Sequence, residues 1–497
     1  MARSILGLHD DEQAVYDTLV AQLQSKEPRN TLRQKFMDGK QSVRALSPML
    51  PPYLRRAGAV LGWPAKACEA VNRRARLEGF DLPKGDLSRW GLDQIMDDND
   101  YLLQVRQTEM ASLVHAVSWE IVVGGDTSLG EPDVMIVSKT ALEATGTWNK
   151  RARRLDNFLS VSEWTPSGDP KDFTLYMPGL VITVQDGAVV DESKHNLWIP
   201  ANPVVYRPSL EHPFGKSRLS RPVMFLTGAA VRALLRMEGT ADFYGTPHLL
   251  LMGALMEQFQ GADGKAASTW DFLMSKINGI PDDDDAVNPR AEVVQVQQAS
   301  QQPHLDSIDE IAAAFAGETN IPVSALGVGV KQANPTSSES YEASREDLIS
   351  EAEDAQDTWG GTHVKTLQMA WMFRTGSNTL PPQLRKLQPR WRDARRTSRA
   401  AAADSSSKLI AAFPWMAESA TMLENVGFDK ATTERLKAEL ETVKADKAKA
   451  AAKLAATPPP TIIMAGGAPA QASGTLPSQT SPSAQPGANA TTANSGT

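Results

Sequence analysis

From its start to about residue 48 the chain reads as helical: Val15, Leu19 and Leu23 recur on one stripe, Pro28 predicts a turn, and Phe36-Met37-Asp38-Gly39-Lys40-Gln41 reads as a helix end closed by glycine. At Trp119 the period becomes extended. The short apolar runs Trp119–Val123, Asp133–Val137, Phe173–Tyr176 and Gly179–Val184, separated by Gly, Pro and Asp, predict a small, mostly antiparallel sheet. A long helix is expected next, with Ser220 as N-cap, Pro222 in the first turn, and Val223, Leu226, Ala230, Leu234 and Met237 at helical spacing to about Tyr244. Leu249–Met252 and Glu292–Gln298 then predict strands.

Helix dominates the rest of the folded chain. Leu305, Ile308, Ala312 and Phe315 share a helical stripe, with Asp306, Asp309 and Glu310 between them. The Gly-rich stretch Leu326–Pro335 separates that helix from a longer one expected over Ser337–Phe373, where Gly360-Gly361 predicts a kink. Residues 393–453, rich in Ala, Lys, Arg and Glu, read as further helices broken near Phe413-Pro414 and Gly427. Residues 457–497 hold no charged side chain and few large apolar ones, so a disordered tail is expected. The fold class is therefore α+β, mostly helical.

Composition narrows the function. With 41% hydrophobic residues over 497 positions, the chain can bury a sizeable core as several domains or as one elaborate protomer of an assembly. Its 51 basic and 59 acidic residues give a net charge of −8, which argues against gripping nucleic acid over a broad surface. The single cysteine, Cys68, excludes a disulfide scaffold, a Cys-based zinc site and an iron–sulfur cluster, and reads as a small helix-packing residue. Acids interrupt the first apolar run before it reaches signal-peptide length, and no apolar window of roughly 18 residues exists, so no membrane association is expected.

Candidate chemistry is sparse. Gly215-Lys216-Ser217 looks like the end of a phosphate-binding loop, but Leu210 stands where that loop needs glycine, and Glu211 and Pro213 occupy the would-be cradle. Asp282 to Asp285 cluster carboxylates without calcium-loop spacing, and read as a solvated acidic loop. Gly327-Val-Gly329 is followed by Gln332 where a dinucleotide fingerprint needs glycine, and neither HExxH nor Gly-x-Ser-x-Gly occurs. No enzyme, cofactor or metal site is expected. A nucleotide hydrolase using Lys216 remains the third alternative.

The order of several strings resembles the portal proteins of tailed bacteriophages, in the branch found in long-tailed siphophages. Phe36-Met-Asp-Gly-Lys40 resembles the family's early aromatic-x-Asp-Gly-Lys turn, and His212–Arg221 its Gly-x-Ser entry into the stem. Pro322–Gly327 followed by Asn334–Glu339 is similar to the tunnel-loop approach, and Trp391-x-Asp393 with Ser398, Asp404 and Lys408-Leu409 to the late helices.

The resemblance implies a portal fold with wing, stem, clip and crown, assembled as a cyclic ring of about twelve copies. Implied boundaries are a wing at 1–216, a first stem helix at 217–246, a clip at 247–303, a second stem helix at 304–318 and a tunnel loop at 319–336. A kinked wing helix and connection at 337–389, a crown at 390–453 and a tail at 454–497 complete the chain. The ring would sit at one capsid vertex of the virion, having assembled in the host cytoplasm. Its implied partners are double-stranded DNA, the terminase motor, the head-tail adaptor and the major capsid and scaffold proteins. Lys331, Gln332 and Asn334 are the candidate DNA-facing residues, and Asp282, Asp283, Asp284 and Asp285 the candidate partner-facing ones. Another oligomeric virion component, a minor capsid or head-completion protein, is the second alternative.

Overall fold

The computed structural model describes residues 5–41, 59–83, 87–195, 197–245, 249–252, 292–295, 300–327, 345–395, 399–428 and 430–455. They fall in two units, Met1–Arg396 and Thr397–Thr497. Among the described residues no helix is long and apolar enough to cross a membrane.

The first unit opens with α1 (Asp10–Met37), α2 (Trp63–Arg74), β1 (Leu77–Asp81), α3 (Leu92–Asp98) and α4 (Tyr101–His115). Helix α3 begins nine residues before Tyr101, and after His115 the chain becomes extended. Strands β2 (Val117–Gly124), β3 (Val134–Thr140) and β9 (Ala201–Val205) form an antiparallel sheet in the order β3-β2-β9. Between β3 and β9, strands β4 (Ala144–Asn149), β5 (Arg154–Trp164), β6 (Pro170–Met177), β7 (Leu180–Gln185) and β8 (Ala188–Lys194) form a five-stranded antiparallel meander in chain order. All four short runs expected to be strands between Trp119 and Val184 lie in these sheets.

Helix α5 (Arg221–Gly245) follows, then β10 (Leu249–Met252), which pairs antiparallel with β11 (Glu292–Gln295), then α6 (Gln302–Thr319) and the short α7 (Val323–Leu326). The long α8 (Glu346–Thr375) and β12 (Gln388–Trp391), paired antiparallel with β1, close the unit. The second unit is helical: α9 (Arg399–Ala412), a 3-10 turn (Pro414–Glu418), α10 (Ala420–Val426) and α11 (Lys430–Ala455). Its breaks fall where Phe413-Pro414 and Gly427 put them, Gly427 taking the left-handed conformation (φ 99°) that ends α10.

Helix α1 starts where the sequence supplies carboxylates. Asp10, Asp11 and Glu12 occupy its first turn, and the Glu12 side chain accepts the His9 N–H at 2.8 Å. Its apolar stripe is buried: Tyr16, Leu19, Val20 and Leu23 pack on Leu159, Phe173 and Val184 of the meander, with Tyr16 stacked on Phe173 at 4.6 Å. The turn expected at Pro28 is absent, and the helix runs through that position. Proline removes one ladder hydrogen bond, but side chains anchor the helix on both sides of it. Gln22 donates to Thr145 Oγ1 (3.0 Å) and the Gly146 carbonyl (3.1 Å), and buried Asn30 donates to the Ala141 carbonyl (3.3 Å).

Helix α8 threads two cores. Its N-terminal half puts Ala352, Ala355 and Trp359 against Cys68, Val223, Ala312 and Phe315, and its C-terminal half puts Leu367 and Ala370 against Val105, Ile136 and Leu384. The helix passes through Gly360-Gly361 as one element from Glu346 to Thr375. Gly360 is needed for space: a Cβ there would lie 2.8 Å from Pro389 Cγ and 3.2 Å from Trp391 Nε1, so glycine lets β12 lie against the helix. Cys68 is fully buried in the same core and its thiol is pushed up to about 12 by burial, which suits packing and not nucleophilic chemistry. Of the stripe expected on α6, Ile308, Ala312 and Phe315 are buried, whereas Leu305 is exposed.

Candidate functional site

The Gly215-Lys216-Ser217 string has a structural explanation. Gly215 takes φ +74°, and a Cβ there would lie 2.1 Å from the Tyr206 carbonyl oxygen. That carbonyl accepts the Lys216 N–H at 3.0 Å. The buried Ser217 hydroxyl donates to the Val114 carbonyl (2.5 Å) and accepts the Leu219 N–H (3.0 Å), while the Arg218 N–H donates to the Leu113 carbonyl (2.9 Å). Leu113 and Val114 belong to the last turn of α4, whose carbonyls have no partner within their own helix. The loop therefore satisfies a helix end, and the backbone N–H groups of Gly215, Lys216 and Arg218 are already engaged within the fold. Gly215→Ala is expected to cost about 2 kcal/mol or more, from left-handed strain plus a clash with backbone; thermal unfolding of the variant checks it.

Immediately after that loop lies a buried ionic joint. Arg218 is 5% exposed. Its Nε donates to the Ala67 carbonyl of α2 at 2.7 Å, one terminal nitrogen reaches the Glu351 carboxylate of α8 and, at 3.1 Å, the Tyr206 hydroxyl, and the other reaches the Thr319 carbonyl at the end of α6. Glu351 also accepts from the Tyr206 hydroxyl, from Arg207 at 3.0 Å and from Asn320 Nδ2 at 3.3 Å. One guanidinium thus ties together the start of α5, the end of α6, α2 and α8. Burial lowers the Arg218 pKa and raises that of Tyr206, with the neighbouring charges of Arg218 and Arg207 holding the phenol back. Ser220 next to it caps α5: its hydroxyl accepts the Val223 N–H (3.3 Å) and donates to Glu318 of α6 (3.0 Å).

Helices α5 and α6 leave this joint as a packed pair. Val223 and Ala230 of α5 share a core with Ala312 and Phe315 of α6, and further along Thr240 Oγ1 meets His304 Nε2 at 3.0 Å. The paired strands β10 and β11 stand at the far ends of the same two helices in sequence.

A second buried cluster spans α4, β2 and α8. His363 is fully buried, with Nδ1 2.8 Å from Glu120 Oε1 and Nε2 3.4 Å from Glu109 Oε1. The Tyr101 hydroxyl donates to Glu120 Oε2 at 3.1 Å. Burial disfavours the imidazolium, but Glu120 and then Glu109 outweigh it, and the His363 pKa is raised to about 10. Glu120, penalised by burial, is nonetheless held below the usual carboxylate range by His363. Glu109 is pushed up to about 7, chiefly by burial, with His363 only partly offsetting it. The cluster holds one cation between two carboxylates and reaches no solvent, so it braces the fold.

Lys331, Gln332 and Asn334, and Asp282 to Asp285, lie outside the described residues. The sequence alone assigns no role to Arg218 and Glu351, to His363, Glu109, Glu120 and Tyr101, or to the cationic run Lys150-Arg151-Ala152-Arg153-Arg154 between β4 and the start of β5. Only the last of these carries a visible local signal, four cations in five residues.

A family model described as phage portal protein, SPP1 Gp6-like, matches residues 217–446, from the Ser217 that caps α4 into α11. The portal protein of Mycobacterium phage L5 is 23% identical over 412 residues, covering 80% of this chain and 82% of its own. That of Mycobacterium phage D29 is 22% identical over 409 residues, with the same coverage. The chain resembles phage portal proteins over four fifths of its length.

The family match begins at the joint and takes in the α5–α6 pair, α8 and the second unit as far as residue 446, within α11. Two solved chains were also found, each 11% identical at a TM-score of 0.39. One, from a virion of a native gene transfer agent particle, covers 71% of this chain and 85% of its own; the other, from the neck of that particle computed with C12 symmetry, covers 80% and 98%.

Proposed function

We propose that the chain assembles as a closed ring of about twelve copies at one capsid vertex, through which the genome is packaged and ejected. The observation that carries this reading is the alignment with two phage portal proteins over 80% of this chain and 82% of each of them. In this reading α5 and α6 are the stem helices (217–246 and 304–318), joined by a clip at 247–303, and the tunnel loop spans 319–336. Residues 1–216, with 337–389, form the wing, 390–453 the crown, and 454–497 a tail. The packed α5–α6 pair supports it, because exposed Phe225 (67%) on α5 and Leu305 (43%) on α6 leave apolar surface for neighbouring copies to cover.

A protomer of net charge −8, repeated around a ring, gives an acidic body that repels phosphate, so DNA slides and does not adhere. Lys331, Gln332 and Asn334 are the few polar contacts offered to double-stranded DNA. Asp282, Asp283, Asp284 and Asp285 face a basic surface of the terminase motor or head-tail adaptor. Capsid and scaffold proteins surround the ring in the virion, after assembly in the host cytoplasm. The protein has no catalytic site of its own: ATP hydrolysis belongs to the motor, consistent with the structural use of Gly215–Ser217.

Light scattering on the purified protein tests the ring: a mass near twelve protomers is expected, and a stable compact dimer would overturn the reading. In a packaging reaction, Lys331→Ala/Gln332→Ala/Asn334→Ala is expected to change rate or yield. An unchanged reaction would remove the loop from the account.

A further inference from the structure

The turn between β4 and β5 carries Lys150, Arg151, Arg153 and Arg154, all exposed. Three of them line an open groove of about 960 Å³, together with Trp148, Trp198 and Lys365 of α8. No Asp or Glu lines this groove. Lys150, Arg153 and Lys365 have no carboxylate partner among the described residues. Arg154 lies over the Trp198 ring, 3.6 Å from its centroid, and the Trp198 indole N–H donates to the Leu155 carbonyl at 2.7 Å, which fixes the ring as a platform. Leu155, Ile199, Val205 and Met369 make the floor apolar, and Leu210 stands at the rim 97% exposed. Phosphates alone would use the cations and gain nothing from this floor. A protein segment carrying acids beside an apolar side chain uses both.

Such a segment lies at the other edge of the same sheet. Strand β8 is the last of the meander, and its Val190–Lys194 stretch is exposed throughout, Val190 to 55%. Beyond the bridge between Leu6 and Ala188, no described strand pairs with its outer edge. Asp191 and Glu192 follow Val190 and have no cationic partner among the described residues. An unpaired strand edge invites a partner. The acidic edge and the cationic corner are four strand spacings apart, about 19 Å. Unlike surfaces on opposite sides of one unit are what a head-to-tail contact in a closed ring requires.

We propose that the β8 edge of one copy seats in the β4–β5 groove of the next, with Arg153 and Arg154 meeting Asp191 and Glu192, and Trp198 and Leu210 covering Val190. This rests on the ring reading and names the wing surfaces that close the ring. Arg153→Glu/Arg154→Glu and Asp191→Arg/Glu192→Arg are the test, singly and combined, with assembly followed by sedimentation velocity and folding by circular dichroism. All four positions are exposed, so each charge-reversed protein is expected to fold. Each is expected to lose ring assembly by about tenfold or more in the concentration required, and the combined variant to recover most of it.

Rings that form equally well in both double variants would overturn the proposal and leave the portal ring standing. Loss in the groove variant alone would show that another surface occupies the groove, and would overturn it too. Intact rings with weakened binding to a duplex DNA fragment would make the groove a nucleic-acid site. An unaltered protein that forms no rings at all would take down the ring reading and this contact together.

Discussion

Replacing Arg218 by methionine is expected to lower the stability of the first unit by about 3–5 kcal/mol, seen as a drop in the urea midpoint at unchanged slope. The methionine fills the volume of the side-chain stem but strands the Glu351 carboxylate, which is 4% exposed, without its buried cation. Arg207 remains within 3.0 Å of Glu351, but its side chain is half in solvent, so it offsets only part of the loss. The Ala67 and Thr319 carbonyls also lose their donors, and each unsatisfied buried group adds to the cost. Removing both charges in Arg218→Met/Glu351→Met is expected to be milder than removing the cation alone, because no uncompensated charge is left inside. A double variant less stable than Arg218→Met would show that the joint holds by hydrogen bonding and packing, and not by charge balance.

A comparable loss is expected at His363. His363→Leu leaves Glu120 and Glu109 in a solvent-free interior with no cation, and is expected to cost about 3–5 kcal/mol at pH 7. In the unaltered protein the same cluster makes stability fall as pH rises. The His363 pKa is raised in the folded state, from 6.5 to about 10, so its contribution is fully present below pH 6.5 and is lost as pH climbs through 10. Glu109, raised from 4.5 to about 7, acts in the same direction at lower pH: the folded state keeps its proton, and stability drains away from pH 4.5 through 7. Glu120 is depressed and acts oppositely, its contribution being lost only on the acid side as pH falls through its lowered value.

Glu109→Gln keeps the shape and removes the charge. It is expected to flatten the decline between pH 4.5 and 7, an effect on the order of 3 kcal/mol, and to leave the decline above pH 7 in place. Denaturant titrations at a series of pH values check this. A flat profile in the unaltered protein from pH 5 to 9 would contradict a charged His363.

The helices and strands with clean periodicity were legible from the residues alone. Val223 through Met237 announce α5, and the run at Trp119 announces β2. Strand β5 was not legible, because its pairing slips between Thr147 and Trp148 on one side and around Glu163 on the other, and such bulges break the alternation that marks a strand. Pro28 misled for a related reason. It carries a strong local signal that distant residues override, with Asn30 reaching Ala141.

Part of the joint was in view, since Arg218 lies inside the His212–Arg221 string. Its role was not, because Glu351 stands 133 residues away. The His363 cluster left no trace at all: Glu120 and His363 are 243 residues apart, and a lone Glu in a helix or strand reads as a surface residue until the fold encloses it.

Electron microscopy of the purified protein tests most directly whether the chain works as a ring around DNA. Closed rings of about twelve copies, with a central opening about as wide as duplex DNA and lined by the α5–α6 pairs, are the predicted result. Compact particles without a channel, or rings in which those helices face outward, would contradict it.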